Sequence, residues 1–236
     1  MRLSYCLLAG FIFSAFTSAA QLGFGPEVGF NLSNYTGKSD GKKISHQPKY
    51  GGMFGGILEV ELNEHFYLLP GLFDYRNGYA KSFAGGTKTY AVNTLEIPVN
   101  IEYKFGRPDR VKFFVGAGPY FDLNYDGTVV TSALPVYSTY DIKMGNDASD
   151  DIRSFDIGVG VFGVYQITRG LFFRARYQYG FLNMLPEGNS NNSLYNRSFS
   201  LSVGYVFPGD LKAKKEPEKI KEEEEREQME QQRKQQ

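Results

Sequence analysis

Between Gln21 and Phe207 apolar and polar positions alternate with a period of two, and no 3.6-residue stripe of useful length interrupts them. That period puts successive side chains on opposite faces of a β-strand. In the first segment Leu22, Phe24, Pro26, Val28, Phe30 and Leu32 share one face, and Gly23, Gly25, Glu27, Gly29 and Asn31 share the other. Seven further segments follow at about 50–62, 66–79, 93–105, 111–125, 153–167, 171–182 and 197–207. Their large apolar faces include Phe54-Leu58-Val60-Leu62, Tyr67-Leu69-Phe73-Tyr75 and Leu95-Ile97-Val99-Ile101-Tyr103-Phe105. The opposite faces collect glycine and the mid-strand charges Glu27, Glu59, Glu61, Asp74, Arg76, Glu96, Glu102, Lys104, Lys112, Asp122, Asp156, Arg174 and Arg176.

Alternation alone leaves open which face points inward. A soluble barrel turns its apolar face in; a membrane barrel turns it out. Three features favour the membrane. Eight strands enclose a narrow interior, which this much Phe, Tyr, Leu and Ile overfills and which glycine with ion pairs fits. Aromatic residues gather at the segment ends: Tyr67, Tyr103, Phe105, Tyr165, Tyr205 and Phe207 at one rim, and Tyr50, Tyr75, Tyr79, Tyr125 and Tyr179 at the other, as in two interfacial girdles. Connections alternate between long (33–49, 80–92, 126–152, 183–196) and short (63–65, 106–110, 168–170). The expected fold is therefore all-β, an eight-stranded antiparallel up-and-down transmembrane barrel. Both termini lie on the periplasmic side, with the long loops outside the cell. Pro70, Pro98 and Pro119 each remove a ladder donor, so pairing should be interrupted there.

The two ends differ from this pattern. Residues 1–20 combine Arg2, an apolar run from Leu7 to Phe16 and Ser18-Ala19-Ala20, which reads as a signal peptide cleaved after Ala20. After Pro208-Gly209 the composition changes, and residues 210–236 hold 9 acidic and 8 basic residues. Glu222/Arg226 and Glu230/Lys234 stand in the favourable i,i+4 order, so residues 209–236 are expected to be a solvated, helical or disordered tail in the periplasm.

Composition narrows the chemistry. With 26 basic and 26 acidic residues there is no electrostatic case for nucleic acid. Cys6, the one cysteine, excludes a disulfide framework. His46 and His65 fall at opposite ends of the barrel, so no two-histidine metal site is expected. Asp147, Asp150 and Asp151 lack the spacing of a calcium loop. No cofactor and no catalytic residue is assigned. The inward charges Glu27, Glu59, Glu61, Glu96, Glu102, Lys104, Lys112, Asp156, Arg174 and Arg176 are expected to form an ion-paired plug, because buried charges are tolerated when paired.

Several stretches carry a resemblance: L-E-I-P at 95–98, G-A-G-P-Y at 116–120, F-D-I-G-V-G-V at 155–161, R-Y-Q-Y-G-F-L-N-M at 176–184 and R-S-F-S-L-S-V-G-Y-V-F at 197–207. Residues 21–207 resemble the PorT-type outer-membrane β-barrel family of Bacteroidota. The resemblance implies an outer-membrane barrel without catalytic residues to carry over, and a link to type IX protein secretion. The charged tail departs from the family's pattern and is the segment expected to meet a periplasmic or secretion-machinery protein. The expected role is non-enzymatic, structural or protein-interaction, in contact with outer-membrane lipid; accessory function in type IX secretion is the alternative, and a diffusion pore or adhesin ranks below both.

Overall fold

The computed structural model describes residues 22–105, 113–133, 136–168 and 170–207. Its strands are β1 (Leu22–Ser39), β2 (Lys42–Ser45), β3 (Gln47–Glu61), β4 (Phe66–Phe83), β5 (Gly86–Lys104), β6 (Phe113–Ala133), β7 (Val136–Asp141), β8 (Phe155–Gln166), β9 (Leu171–Gly180) and β10 (Ser193–Tyr205). Neighbours pair antiparallel, and β10 returns to β1 in a continuous register from Glu27↔Gly204 to Lys38↔Ser193. Eight long staves thus close into a barrel, and closure satisfies the backbone groups that an open sheet leaves bare. The short strands β2 and β7 add to β1 and β6 at one rim.

That rim is tall because two of the predicted long loops are continuations of the staves. Residues 33–49 form a hairpin of β1 with β2 and β3 around Asp40-Gly41, with Ser39 opposite Lys42. Asp40 (φ 49°) and Gly41 (φ 76°) both take the left-handed conformation, as a two-residue hairpin turn requires. Residues 80–92 likewise stay paired up to Phe83↔Gly86. Their polar composition reads as loop, but an antiparallel pair whose register is already fixed below extends without apolar residues. In the third long connection β6 runs on to Ala133 and β7 follows it, and the stretches 142–154 and 181–192 are mostly irregular. At the low rim, Glu61 leads to Phe66 in a tight turn.

The prolines interrupt the ladders as expected. Pairing skips Leu58-Glu59 against Leu69-Pro70, Gly71-Leu72 against Ile97-Pro98, and Val99-Asn100 against Gly118-Pro119.

The outer surface carries a belt of large apolar side chains, with Phe30 80% and Tyr50 82% exposed. A continuous belt of this kind far exceeds the apolar patches of a water-soluble protein. Seven staves turn the predicted face outward. β4 is inverted: Tyr67, Leu69, Phe73 and Tyr75 are buried in the lumen, and Leu72, Asp74 and Arg76 point out. Both faces of β4 are apolar, so its alternation carries no direction; the neighbouring strand supplies it. Gly55 lies opposite Phe73, and a Cβ there would sit 2.5 Å from the Phe73 ring, so the missing side chain is the space the ring fills. Single-cysteine labelling checks the inversion. A nitroxide at Leu72→Cys is expected to be relaxed by lipid-soluble oxygen, whereas Phe73→Cys should stay unreactive in the folded barrel; the reverse pattern would restore the alternation reading.

Candidate functional site: a packed lumen beneath a tall sheet

The lumen is built in layers. At the low rim Lys104 Nζ lies 2.8 Å from Glu59 and 3.7 Å from Glu102, and 3.8 Å above the Tyr67 ring. Glu61 is half-buried at the end of β3 and makes no ion pair among the described residues, and Lys112 lies outside them. An apolar layer of Met53, Ile57, Leu69, Phe73, Phe114, Phe162, Val164 and Phe172 fills this half. Within it Arg174 Nη1 donates to Glu27 Oε2 at 2.5 Å, while Ser202 Oγ donates to the other carboxylate oxygen. The Arg174 guanidinium lies 4.8 Å from the Phe162 ring and 5.0 Å from the Phe172 ring.

Higher up, Arg176 Nη1 donates to Glu96 Oε1 at 2.7 Å, Gln178 donates to Glu96 Oε2, and Ser198 Oγ donates to Gln178 at 2.8 Å. Above that a polar ladder crosses four staves: Asn31 donates to Asn77 (2.6 Å), Asn77 to Thr94 (3.1 Å), and Thr94 to Asn124 (2.8 Å). A second apolar cluster of Tyr35, Tyr79, Val92, Val129, Ile142, Ile152, Met184 and Leu194 caps the lumen, with the 142–154 and 181–192 loops folded onto it.

Of the inward charges, Lys104 pairs with Glu59 and Glu102, Arg174 with Glu27 and Arg176 with Glu96, and these pairs are embedded in aromatic packing rather than in glycine alone. Asp156 departs from the expectation: its Oδ1 accepts from the Ile157 and Leu182 amides, and no cation pairs with it among the described residues. Asp74 and Arg76 leave the lumen altogether and join Tyr125 and Asn93 on the outer face, where Tyr125 donates to Asp74 at 2.5 Å and Arg76 to Asn93 at 2.8 Å. A bulge at Tyr125 between the Asn93↔Asp126 and Thr94↔Asn124 pairs turns two successive residues outward there. Gln178 on β9 and Ser198 and Ser202 on β10 carry no charge, and the sequence pattern does not single them out.

The low-rim girdle holds Tyr103, Tyr165, Tyr205 and Phe207, all facing out, with Tyr205 and Phe207 ring centroids 4.8 Å apart and Phe113 and Tyr165 6.2 Å apart. Tyr67 does not belong to it; its ring is a lumen wall under Lys104. At the tall rim Tyr50, Tyr125 and Tyr179 face out, while Tyr75 and Tyr79 are buried. The two histidines stand at opposite rims. His46 stacks on Tyr79 at 4.5 Å, and burial, then Lys81, lower its imidazole below the usual range. His65 Nδ1 lies 3.3 Å from the Lys104 carbonyl.

No curated protein matches the chain. Among solved structures, the attachment invasion locus protein Ail of Yersinia pestis is 11% identical over 78% of this chain and 98% of that one, with a TM-score of 0.44. Neisserial surface protein A is 13% identical over 78% of this chain and 97% of that one, with a TM-score of 0.43. The outer membrane protein OprG of Pseudomonas aeruginosa is 12% identical over 78% and 95%, with a TM-score of 0.38. The family model for the outer membrane protein beta-barrel domain matches residues 15–186, most of the chain, and the closed barrel with its apolar belt belongs to that family of outer-membrane proteins.

Proposed function

We propose that this barrel is a closed, non-enzymatic outer-membrane protein whose lumen is packing rather than passage, and whose working surface is the tall sheet. In this reading the low rim and both termini face the periplasm and the tall rim faces out, as the alternation of short turns and long extensions in outer-membrane barrels suggests. The observation that carries it is the Arg176–Glu96–Gln178–Ser198 layer held between two apolar clusters. An eight-stranded barrel filled in this way leaves no continuous water path. Full-length protein in a planar bilayer is expected to give no steady conductance; regular single-channel steps would overturn the reading.

The sharper role, accessory to type IX secretion in a PorT-type barrel of Bacteroidota, rests on the resemblance of residues 21–207 to that family, with the charged tail over 209–236 as the segment for a periplasmic partner. The tail and the signal peptide over 1–20 lie outside the described residues. A deletion strain that accumulates sorting-domain cargo in the periplasm supports this role, and an unchanged secretome removes it.

A further inference from the structure

The inner face of the tall sheet carries two cross-strand rows, the lower of which shares Tyr79 and Val129 with the apolar cap of the lumen. In the lower row Tyr79, Tyr90, Val129 and Tyr140 are direct cross-strand neighbours on β4, β5, β6 and β7. Tyr79 and Tyr90 stack at 4.5 Å with 9° between planes, His46 stacks on the far side of Tyr79, and Tyr140 is 45% exposed. Two residues up each strand, and so on the same face, stand Lys81, Lys88, Thr131 and Ser138, again in direct register.

Lys81 and Lys88 are a like-charged cross-strand pair on the inner face beside the tyrosines, whereas the corresponding pair Lys38 and Lys43 lies on the outer face of the β1–β2 hairpin. Like charges directly opposite each other destabilise a sheet. Neither Lys81 nor Lys88 forms an ion pair with a described residue. Asp151 of the 142–154 loop accepts from the Lys143 amide. Two adjacent cations without an ion-pair partner among the described residues, beside tyrosine rings and two hydroxyls, suit a ligand with anionic groups on a ring scaffold. The face looks over the barrel mouth and away from the lipid around it, so headgroups of the surrounding leaflet do not reach it.

We propose that Lys81, Lys88, Tyr90, Thr131, Ser138 and Tyr140 form a binding site for an anionic oligosaccharide approaching from above the barrel. The lysines meet sulfate or carboxylate groups, the tyrosine rings pack on sugar faces, and the hydroxyls of Thr131 and Ser138 bond ring oxygens. The proposal deepens the reading that the tall sheet is the working surface, and rests on it.

Calorimetry on the full chain in detergent tests it, with a heparin octasaccharide as the anionic probe and a dextran oligomer and a polyglutamate peptide as controls. The octasaccharide is expected to bind and to weaken with salt, and the controls to stay silent. Lys81→Gln with Lys88→Gln should weaken binding about tenfold, and the corresponding pair of arginines should retain it. Lys38→Gln with Lys43→Gln, on the opposite face of the neighbouring hairpin, should change it less than about twofold. Absent octasaccharide binding, equal losses in the two lysine pairs, or equal binding of polyglutamate would each overturn the site. Labelling of Lys81 on intact cells by a membrane-impermeant amine reagent tests orientation separately. Protection of Lys81 defeats the underlying reading, whereas labelling without octasaccharide binding defeats the site alone.

Discussion

Replacing Arg176 by alanine is expected to lower the barrel's stability by about 3–5 kcal/mol, because Glu96 stays buried while its cation is removed. Glu96 is 2% exposed, and Arg176 is its one ion-pair partner among the described residues. The strand beside it is shaped for this side chain: a Cβ at Gly160 would lie 2.7 Å from Arg176 Nε. Truncation therefore strands a carboxylate and opens a void at once. Gln178 still donates to Glu96, but a neutral amide does not compensate the charge. The midpoint of urea unfolding in detergent, or the temperature at which the band shifts on a gel, reads the loss. A double variant, Glu96→Gln with Arg176→Met, removes both charges and should lose much less, since uncharged side chains of similar volume need no partner. An unchanged midpoint in Arg176→Ala would show that the layer contributes nothing to the fold.

This layer also shows where the sequence stops being informative. The staves were legible because lipid on one side and a lumen on the other impose opposite solvents on alternate residues, and seven of the eight kept that imprint. β4 lost it because its inward positions Tyr67, Leu69, Phe73 and Tyr75 are as apolar as its outward Phe66, Leu68 and Leu72. The charges destined for the interior were visible, but their partners were not. Arg174 meets Glu27 across 147 residues of chain, and Arg176 meets Glu96 across 80. Such pairings depend on the stagger of the staves and on which ones face each other across the lumen, and neither is encoded in a single strand's pattern. The resemblance motifs now have physical content. Glu96 of L-E-I-P accepts Arg176, Gly116 of G-A-G-P-Y makes room for a ring, and the serines at 198 and 202 hydrogen-bond Gln178 and Glu27. They are packing motifs, which is why they identify a fold more readily than a role.

Phe162→Ala is expected to cost about 3–5 kcal/mol, the range for deleting a buried aromatic ring. Phe162 is 6% exposed, and it fills the place a side chain at Gly116 would take, where a Cβ would lie 2.3 Å from the ring tip. Alanine at 162 leaves that space empty on both sides, because Gly116 has nothing to move into it and its backbone is fixed by pairing with both neighbours. Unfolding in urea exposes this interior to water, so the transfer and cavity costs familiar from soluble cores apply to it. The ring also covers the Arg174 guanidinium, and its loss admits water to the Arg174–Glu27 pair. That second effect is separable by a double-mutant cycle with Arg174→Met, in which the cation–ring coupling should appear as about 0.5–2 kcal/mol. Phe162→Leu, which keeps most of the volume, should lose less than about 1.5 kcal/mol. Equal losses in the leucine and alanine variants would mean that the ring's volume is not what holds this half of the lumen together, and a coupling of zero would mean that the Phe162 ring adds nothing to Arg174 beyond what Glu27 and the Phe172 ring supply.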